Sequence, residues 1–587
     1  MFRCDNFRLL ILETTLVRFY AYYSLRLCLT MMSFVSYTAF ALVLIFILPD
    51  FSSATEVKVT IKNGPIVGQQ REGHFAFEGI PYAKPPIGNR RFAASELIEE
   101  RWHEPKNTTR VGPVCLQWSH LKSGDNKMEG EEDCLFLNVY TTNLSADALL
   151  PTIVHLHGGA FMYGGGGYFR PDFLLQRQLI LVTVNYRLGP LGFLSTEDDV
   201  IAGNFGLKDQ VTALQWVQKN IKYFGGDANK VTLSGFSAGS ASVHLHYLSP
   251  LSRGLFHRAI GHSGSALNPW VMVEQSAEKA KLIAAGAGCP FDENSKELLQ
   301  CLRQLPAEKI VRQVPKLQDF LYNPYSPLGV VIEKRGKYNS QPFLSEDPRD
   351  LTRAGRVAKI PLLLSVTEAE GLYPAAEFFS NVSYLQHIND HWNDVLPSIL
   401  DYKYAVRDSH QRDALSQVIR AHYLGTHKLN ESVFHRFVRL VSNRLFFAGV
   451  TEAAKLMQPH IPVYFYYDQY KTTYGLSEAL SGSNQFLGVP HGEDILLILP
   501  SSLRENNPYT MQELSMATKF CDLYESFAHG YQPRFGNLVL PAQQDHTRLT
   551  YLLINYPDSS IVTADFLSDE PFWDILKFNE SSIVHTD

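Results

Sequence analysis

The chain has 587 residues, of which 45% are hydrophobic and only 19% charged, so it can bury a large core and lacks the composition of a disordered protein. Its formal net charge is −6 and it contains no Lys/Arg-rich run, which argues against a nucleic-acid-binding surface. We therefore expect a globular protein without a nucleic-acid partner.

The first 54 residues have the features of a leader with a secretory signal peptide. Residues 34–48 form its apolar core, and Pro49 and the small residues 52–54 follow, which predicts cleavage near position 54/55. An uncleaved membrane anchor is the alternative, but the apolar run is shorter than the roughly 20 residues that span a bilayer. We predict a secreted, extracellular protein with no stable membrane anchor after cleavage.

Cysteines and glycosylation sequons fit the same compartment. Cys4 and Cys28 lie in the predicted leader, which leaves five cysteines in the mature chain. In an oxidising environment the near neighbours in sequence are the expected pairs, Cys115–Cys134 and Cys289–Cys301, and Cys521 is then unpaired. Asn-x-Ser/Thr sequons are acceptors for N-glycosylation in secreted proteins. They occur at Asn107, Asn143, Asn381, Asn430 and Asn579.

Strand and helix patterns alternate along the mature chain. Short β-branched or aromatic runs predict strands at residues 57–61, 135–140, 152–156, 179–184 and 230–234. Apolar residues at three- and four-residue spacing predict a helix over residues 209–224, and a second helix is expected to end near Leu248. This alternation predicts an α/β fold with a largely parallel sheet that is covered on both faces. We expect residues 55–587 to form a single catalytic domain with long loop insertions.

The segment Gly235-Phe236-Ser237-Ala238-Gly239 lies between a predicted strand and a predicted helix. The bare pattern Gly-x-Ser-x-Gly is common by chance, but in this context it predicts a nucleophile elbow that exposes the Ser237 hydroxyl. A serine hydroxyl needs a base within hydrogen-bond reach to act as a nucleophile.

Backbone N–H groups near this elbow are candidates for an oxyanion hole. Ala238 starts the helix after the serine, where its N–H points toward the nucleophile. The Gly-rich turn after strand 152–156 supplies Gly159 and Ala160 as the other donors.

Two features that resemble cofactor sites are explained more simply. His155 and His157 share a strand face as a metal-binding pair would, but no third ligand is evident. The run Gly164–Gly167 is followed by Tyr168 rather than by Lys-Ser/Thr, so it is not a P-loop. We predict no metal and no cofactor.

The base and the acid are expected to follow the serine in chain order. His491 lies in a turn rich in Gly and Pro, whereas His244 and His246 lie on the predicted helix after the elbow, where a structural role is expected. The acid is expected at the end of an apolar strand near residue 367, where Glu368 and Glu370 are equally good candidates.

Taken together, these motifs resemble the carboxylesterase/cholinesterase family (type-B carboxylesterases) of the α/β-hydrolase fold, and the form around His491 looks like that of arthropod esterases. The resemblance covers nearly all of the mature chain. Its motifs, besides the elbow, are at residues 77–86, 132–140, 185–193, 203–210, 224–227 and 488–494.

The resemblance implies a role for particular residues. It makes Glu370 the acid and His491 the base, and it agrees with the oxyanion donors and disulfides given above. It also implies that Ser263 supports the acid and that Trp270 lines the acyl pocket, although ordinary packing explains both residues equally well.

Departures from the family pattern narrow the expected substrate. Many members have Glu where this chain has Phe236, and cholinesterases have a choline-stacking Trp that is missing between Lys122 and Cys134. The resemblance therefore implies a serine carboxylic-ester hydrolase that forms an acyl-enzyme on small, neutral, apolar esters (xenobiotic, pheromone or hormone esters), and not an acetylcholinesterase. The alternatives are a non-catalytic adhesion protein, a juvenile-hormone-specific esterase and a triacylglycerol lipase, although juvenile hormone esterases typically have Gln before the serine.

Overall fold

A large β-sheet forms the centre of the protein in the computed structural model, which describes residues 55–289, 294–545, 547–576 and 578. The residues from Thr55 onward pack as one compact unit. The predicted leader with its cleavage site and the sequon at Asn579 lie outside the described residues.

The strands fall into this main sheet and two small pairs. In chain order they are β1 (Thr55–Ile61), β2 (Gly64–Arg71), β3 (His74–Pro81), β4 (Lys106–Asn107), β5 (Gln117–Trp118), β6 (Met128–Glu129), β7 (Phe136–Thr141), β8 (Leu150–Leu156), β9 (Ile180–Val184), β10 (Gly226–Phe236), β11 (Arg258–His262), β12 (Leu362–Thr367), β13 (Val463–Asp468), β14 (Arg534–Phe535), β15 (Leu538–Val539), β16 (Leu549–Ile554) and β17 (Ser560–Ala564).

Helices lie in every connection from β9 to β14, and one more follows β17. They are α1 (Gly189–Phe193), α2 (Phe205–Asn220), α3 (Ala238–Leu248), α4 (Ser276–Ala287), α5 (Ser295–Gln304), α6 (Ala307–Val311), α7 (Pro348–Arg353), α8 (Leu372–Phe379), α9 (Val382–Asp390), α10 (Trp392–Ile399), α11 (Ser409–Tyr423), α12 (Phe434–Ser442), α13 (Ala448–Met457), α14 (Leu476–Ser481), α15 (Glu493–Leu496), α16 (Met511–His529) and α17 (Glu570–Leu576). A π-helical turn, Asn443–Phe447, joins α12 to α13.

The middle of the sheet is parallel and its edges are antiparallel. The strand order is β1-β2-β3-β7-β9-β8-β10-β11-β12-β13-β16-β17, with β4 beside β2. Neighbours from β9 to β16 in this order pair in parallel, and the outer pairs run antiparallel. The predicted α/β fold with a mostly parallel sheet is therefore confirmed.

Helices cover both faces of the sheet. Successive strand residues point to opposite faces, and Ile153 packs in one apolar cluster with Phe520 of α16. Its neighbour Val154 packs in another cluster with Leu214 of α2 and Leu245 of α3. Because each face buries its own cluster, the central strands β8, β9 and β12 are buried at every position rather than at every second one. Among the described residues, no helix has the length and apolar character required to cross a membrane.

The predicted strands all occur, with ends displaced by a few residues, but the helix predicted over residues 209–224 begins earlier. It spans Phe205–Asn220 and continues as a 3₁₀ turn, Ile221–Phe224. Its first five residues, Phe205–Asp209, are all buried, and Asp209 pairs with Arg187 at 2.7 Å. Because this stretch has no exposed face, it has no amphipathic pattern, and the spacing of apolar residues could not indicate it.

Two disulfides link the pairs that the sequence indicates, Cys115–Cys134 and Cys289–Cys301. The remaining cysteine of the described part, Cys521, is buried in α16 and is not part of a disulfide. Burial raises the pKa of its thiol to about 12, so Cys521 is a small core residue rather than a reactive thiol.

The helix after the serine carries two buried histidines with structural hydrogen bonds. His246 lies 2.6 Å from the Ser252 hydroxyl through Nδ1 and 2.9 Å from Gln210 Oε1 through Nε2. His244 Nε2 lies 3.2 Å from the Thr352 hydroxyl. Burial lowers the pKa of His246 to about 3 and that of His244 to about 4, so both imidazoles are neutral.

We expect His246→Gln to destabilise the protein less at pH 5.0 than at pH 7.5. The folded-state pKa of about 3 lies below the ordinary value of 6.5, so the unfolded chain binds a proton between these values and the folded chain does not. The free energy of unfolding of the wild-type protein therefore decreases as pH falls below the pKa of 6.5 in the unfolded chain. At pH 5.0 the loss due to His246 is roughly 2 kcal/mol. Gln does not titrate, so the stability difference in urea unfolding should narrow by about that amount. A difference that is equal at both pH values would contradict a neutral, buried imidazole.

Candidate active site

Ser237 lies in the sharp turn between β10 and α3. Its backbone has φ 58° and ψ −118°, a conformation that L-residues disfavour. The N–H of Ser237 donates to the carbonyl of His262 at the end of β11, with a distance of 2.8 Å. This turn fixes the direction of the serine side chain at the carboxyl edge of the parallel strands, where open α/β sheets bind their ligands.

The glycines on either side of Ser237 are required by the space around the turn. A Cβ on Gly235 would lie 2.2 Å from the carbonyl oxygen of Gly239, and a Cβ on Gly239 would lie 2.0 Å from the carbonyl oxygen of Leu156. Both distances are far below van der Waals contact, and both neighbours are backbone atoms. The strand and the helix therefore come too close at this turn for any residue larger than glycine at either position.

The Gly-rich turn after β8 lies directly beside the serine. A Cβ on Gly158 would be 2.9 Å from Ser237 Cβ. Gly159 has φ 106° and Ala160 has φ 54°, and the carbonyl of Gly159 accepts from the N–H groups of Met162 and Tyr163 at 2.8 and 3.0 Å.

The three candidate oxyanion donors thus belong to two segments that meet at Ser237. Within the described residues, neither Gly159 nor Ala160 donates its N–H to another protein group. Ala238 is the first residue of α3, so its N–H has no partner inside the helix. Donors without protein partners, next to a serine, are suited to bind a developing negative charge.

His491 and Glu370 form a buried pair next to this turn. His491 Nδ1 lies 2.5 Å from Glu370 Oε2. The other carboxylate oxygen of Glu370 accepts from the Ser263 hydroxyl at 2.5 Å and from the N–H of Thr367 at 2.8 Å. Glu370 is fully buried, whereas Glu368, the other sequence candidate, is half-buried, and its pKa is raised by burial. The structure therefore pairs Glu370 with the imidazole.

Three aromatic rings surround the imidazole of His491. The ring centroids of Phe236, Phe446 and Tyr373 lie 4.6, 4.5 and 5.7 Å from its own. Phe446 belongs to the π-helical turn before α13. Nε2 of His491 is buried and has no hydrogen-bond partner among the described residues. Nε2 is thus the free basic atom of this pair, and apo sites often tighten their hydrogen bonds only when substrate binds.

A cavity of about 470 Å³ contains both Ser237 and His491 in its wall. Most of the wall is apolar or aromatic, and the more exposed rim includes Lys122 and Glu129, which carry opposite charges. The cavity is lined by Ser119, Leu121, Lys122, Glu129, His157, Gly158, Gly159, Tyr163, Gly164, Gly165, Tyr168, Phe169, Phe236, Ser237, Tyr373, Leu476, His491, Gly492, Ile495, Leu496, Ser501 and Ser502.

Two tyrosines that the sequence did not single out connect the parts of this site. The hydroxyls of Tyr163 and Tyr373 lie 2.6 Å apart. Tyr163 follows the glycine turn and Tyr373 stacks on His491, so their contact ties the candidate oxyanion turn to the histidine. The two residues are 210 positions apart, and no pattern in one sequence indicates such a contact.

Two other predicted residues have different positions. Phe236 lies on the cavity wall, as expected for the residue before the serine. Trp270 is buried and donates its indole N–H to the carbonyl of Leu445 at 2.7 Å. Its ring centroid lies 6.2 Å from that of Phe446. Neither Trp270 nor Phe446 is among the residues that line the 470 Å³ cavity, and the Phe446 ring contacts both the Trp270 ring and that of His491.

His155 in β8 and His157 at the start of the glycine turn are both buried, and His157 also lines the cavity. His157 stacks on Tyr186 with a centroid distance of 4.3 Å, and burial lowers its pKa to about 4. His155 Nδ1 lies 3.3 Å from the Ser234 hydroxyl, and burial lowers its pKa well below the ordinary value. In the part of the chain that the structure describes, no group of three or more His, Cys, Asp or Glu residues is arranged to hold a metal ion.

The sheet order and the site together define an α/β-hydrolase. The crystal structure of the juvenile hormone esterase from Manduca sexta with OTFP covalently attached is similar to this chain, with a TM-score of 0.77 and 26% identity over 89% of this chain and 99% of that one. A PNB esterase has a TM-score of 0.67 at 25% identity and covers 87% of this chain and 98% of its own.

A sequence profile of the carboxylesterase family matches residues 55–567, and the chain belongs to that family. Similar proteins include venom carboxylesterase-6 from Apis mellifera, 37% identical over 90% of this chain and 95% of its own length. Esterase E4 from Myzus persicae is 39% identical over 72% of this chain and 77% of its own length. The juvenile hormone esterase of Tribolium castaneum is 35% identical over 80% of this chain and 83% of its own length. The protein is therefore a carboxylic ester hydrolase.

We expect Gly239→Ala to abolish ester hydrolysis and to lower Tm, because the added Cβ would lie 2.0 Å from the Leu156 carbonyl. Gly167→Ala is the matched control. Its Cβ would meet only the Val111 side chain, at 3.3 Å, so its Tm should stay close to that of the wild-type protein. Hydrolysis assays and thermal unfolding of both variants test the point. Wild-type activity of Gly239→Ala would contradict the tight elbow.

Proposed function

We propose that this protein hydrolyses small, neutral, apolar carboxylic esters through an acyl-enzyme on Ser237. The observation that carries the proposal is that Ser237 and His491 share one cavity while His491 Nδ1 is held 2.5 Å from the buried Glu370. With Nδ1 bound to the carboxylate, the neutral imidazole presents Nε2 as the proton acceptor.

The mechanism has two acyl-transfer steps. Nε2 of His491 takes the Ser237 proton as the hydroxyl oxygen attacks the ester carbonyl, and the N–H groups of Gly159, Ala160 and Ala238 bind the oxyanion. The protonated histidine then gives its proton to the leaving alcohol. Water attacks the acyl-enzyme with the same base and releases the carboxylic acid. Glu370 orients the imidazole and stabilises its cation, and its bonds to Ser263 and Thr367 keep the carboxylate in place.

The preference for neutral, apolar substrates rests on the cavity wall next to the serine. Phe236, Tyr373 and Phe169 supply aromatic surface there, and none of them carries charge. Among the described residues of the wall there is no Trp, the ring that attracts cations best, and the one carboxylate, Glu129, is accompanied by Lys122. A cation buried beside the serine would therefore lose hydration without full compensation. Names of relatives include a venom carboxylesterase and juvenile hormone esterases, so hormone-like methyl esters belong in the substrate panel with xenobiotic and pheromone-like esters.

We also propose that the enzyme is secreted, glycosylated and built as one catalytic domain over residues 55–587. The apolar core at residues 34–48 supports a signal peptide. Four of the predicted sequons lie among the described residues, and each Asn is exposed, as an acceptor for a sugar must be. They are Asn107, Asn143, Asn381 and Asn430.

The single most direct test replaces the nucleophile. Ser237→Ala should lower kcat by about 10⁴-fold or more, because removal of the nucleophile leaves only binding and the oxyanion donors. Wild-type enzyme mixed with a chromogenic ester should release a burst of alcohol equal to the enzyme concentration, and the variant should release none. Equal turnover by both proteins would refute the acyl-enzyme, and inactivity of the wild-type protein on every ester would favour a non-catalytic adhesion role.

A pair of nearly isosteric substrates tests the preference for neutral esters. Wild-type enzyme should hydrolyse 3,3-dimethylbutyl butyrate with a kcat/KM at least about ten-fold above that for butyrylcholine, because the cation would lose its hydration where Phe236 stands in place of a carboxylate and no Trp lines the described cavity wall.

Variants at Phe236, which lies on the cavity wall, localise this effect. Phe236→Glu should narrow the ratio between the two substrates, whereas Phe236→Gln, which has the same shape without charge, should not. Equal wild-type rates on both esters would contradict the proposed preference.

A further inference from the structure

A second histidine–carboxylate pair lies beneath the candidate catalytic residues. His262 is the last residue of β11 and Asp494 lies in α15, three residues after His491. His262 Nδ1 lies 2.9 Å from Asp494 Oδ2, and both side chains have no exposed surface. The catalytic mechanism described above uses neither of them.

The carboxylate of Asp494 is bound on both of its oxygens. Besides His262, Oδ2 accepts from the hydroxyls of Tyr466 at 2.7 Å and Ser365 at 3.2 Å, and Oδ1 accepts from the N–H of Ile495 at 2.9 Å. Burial alone would raise the pKa of Asp494, but His262 and these donors hold it below its ordinary value. Asp494 is thus an ionised group fixed by β11, β12 and β13 together.

His262 is held from its other side as well. Its Nε2 lies 2.5 Å from the hydroxyl of Tyr524 in α16, and that hydroxyl lies 3.1 Å from the Ser234 hydroxyl in β10. The imidazole therefore has a partner at each nitrogen and cannot rotate without breaking one of them.

The end of β11 also supports the nucleophile and the acid. The backbone carbonyl of His262 accepts from the N–H of Ser237, and the next residue, Ser263, donates its hydroxyl to Glu370. The side chain of His262 reaches Asp494 in the same chain segment as His491. Groups that support the serine, the acid and the base are therefore found on two adjacent residues of one strand end.

The segment that carries His491 needs such an attachment. Gly488 and Gly492 both have positive φ, and α15 contains only four residues. A backbone bond from Ala369 to Val489 holds the segment before the histidine. After the histidine, Glu493 bonds to the neighbouring segment at Thr472, and Asp494 reaches the strand end that supports the other two catalytic residues.

We propose that His262 and Asp494 are a positioning pair that fixes the His491 segment on the end of β11 and so keeps the imidazole aligned between Glu370 and Ser237. The pair touches neither substrate nor the reacting atoms. Its role rests on the proposed acyl-enzyme mechanism, since alignment of His491 matters only if His491 is the base. A misplacement of about 1 Å in such a system lowers the rate by about 10²-fold.

Asp494→Asn tests the pair, because it keeps the side-chain volume but replaces one acceptor oxygen with an amide group. The secreted wild-type and variant proteins are titrated with a fluorophosphonate to count the reactive serines, and kcat and KM are then measured per titrated site. We expect kcat per site to fall by about ten-fold or more and KM to stay within about two-fold. A purely structural role would reduce the number of titrated sites and leave kcat per site unchanged, and that result would overturn the proposal.

Glu333→Gln is the matched control. Glu333 is also a buried carboxylate in an ion pair, 2.6 Å from Lys208, and it accepts further bonds from Asn204, Asn339 and the N–H of Phe343. It does not line the active-site cavity. This variant should lose stability but keep kcat per titrated site. An equal fall in kcat per site for Glu333→Gln and Asp494→Asn would mean general loosening and would overturn the proposal.

A more conservative variant tests the same pair if Asp494→Asn does not fold. Tyr466→Phe removes one of the hydroxyls that donate to Asp494 and should lower kcat per site by about three-fold or more. An unchanged kcat per site would overturn the proposal.

Failure of the proposed acyl-enzyme mechanism would give a different result. In that case Ser237→Ala would remain active, whatever the result at Asp494.

Discussion

The site depends on a backbone conformation at Ser237 that the residue would not adopt alone. A non-glycine residue held at such a φ costs of the order of 1–3 kcal/mol, and it persists only where the surroundings over-determine it. Here the surroundings are backbone: the Gly239 carbonyl is packed against Gly235, the Leu156 carbonyl against Gly239, and the His262 carbonyl accepts the serine N–H. These contacts come from β8, β10, β11 and the first turn of α3, so the parallel register of the central sheet holds Ser237 in this conformation.

Much of this arrangement was predictable from sequence because it is local. The elbow needs glycines at fixed positions, and the oxyanion turn follows a strand directly, so both have short-range patterns. The acid illustrates the limit, since Glu368 and Glu370 lie two residues apart in one loop and no spacing rule separates them. The family resemblance favours Glu370, and the fold gives the physical reason, because Glu370 is the one that reaches Ser263 and His491.

Contacts between distant segments could not be predicted for the same reason. The Tyr163–Tyr373 hydroxyl contact and the His262–Asp494 pair join residues that are 210 and 232 positions apart. Their residue types are common and their neighbours in sequence carry no motif for pairing. The position of Trp270 behind Phe446 depends on how a helix packs across the site, and the family resemblance alone suggested a place on the cavity wall.

Phe446 meets the imidazole of His491 from a π-helical turn, Asn443–Phe447, that joins α12 to α13. Such a turn accommodates one more residue than an α-helical turn between the same ends. If that residue were deleted, the helix would continue as a regular α-helix. The side chains after the deletion would then be rotated about the helix axis by about 100° relative to their present positions, because an α-helix has 3.6 residues per turn. The length of the chain between α12 and α13, as much as the identity of its residues, therefore determines which ring closes the space around the histidine.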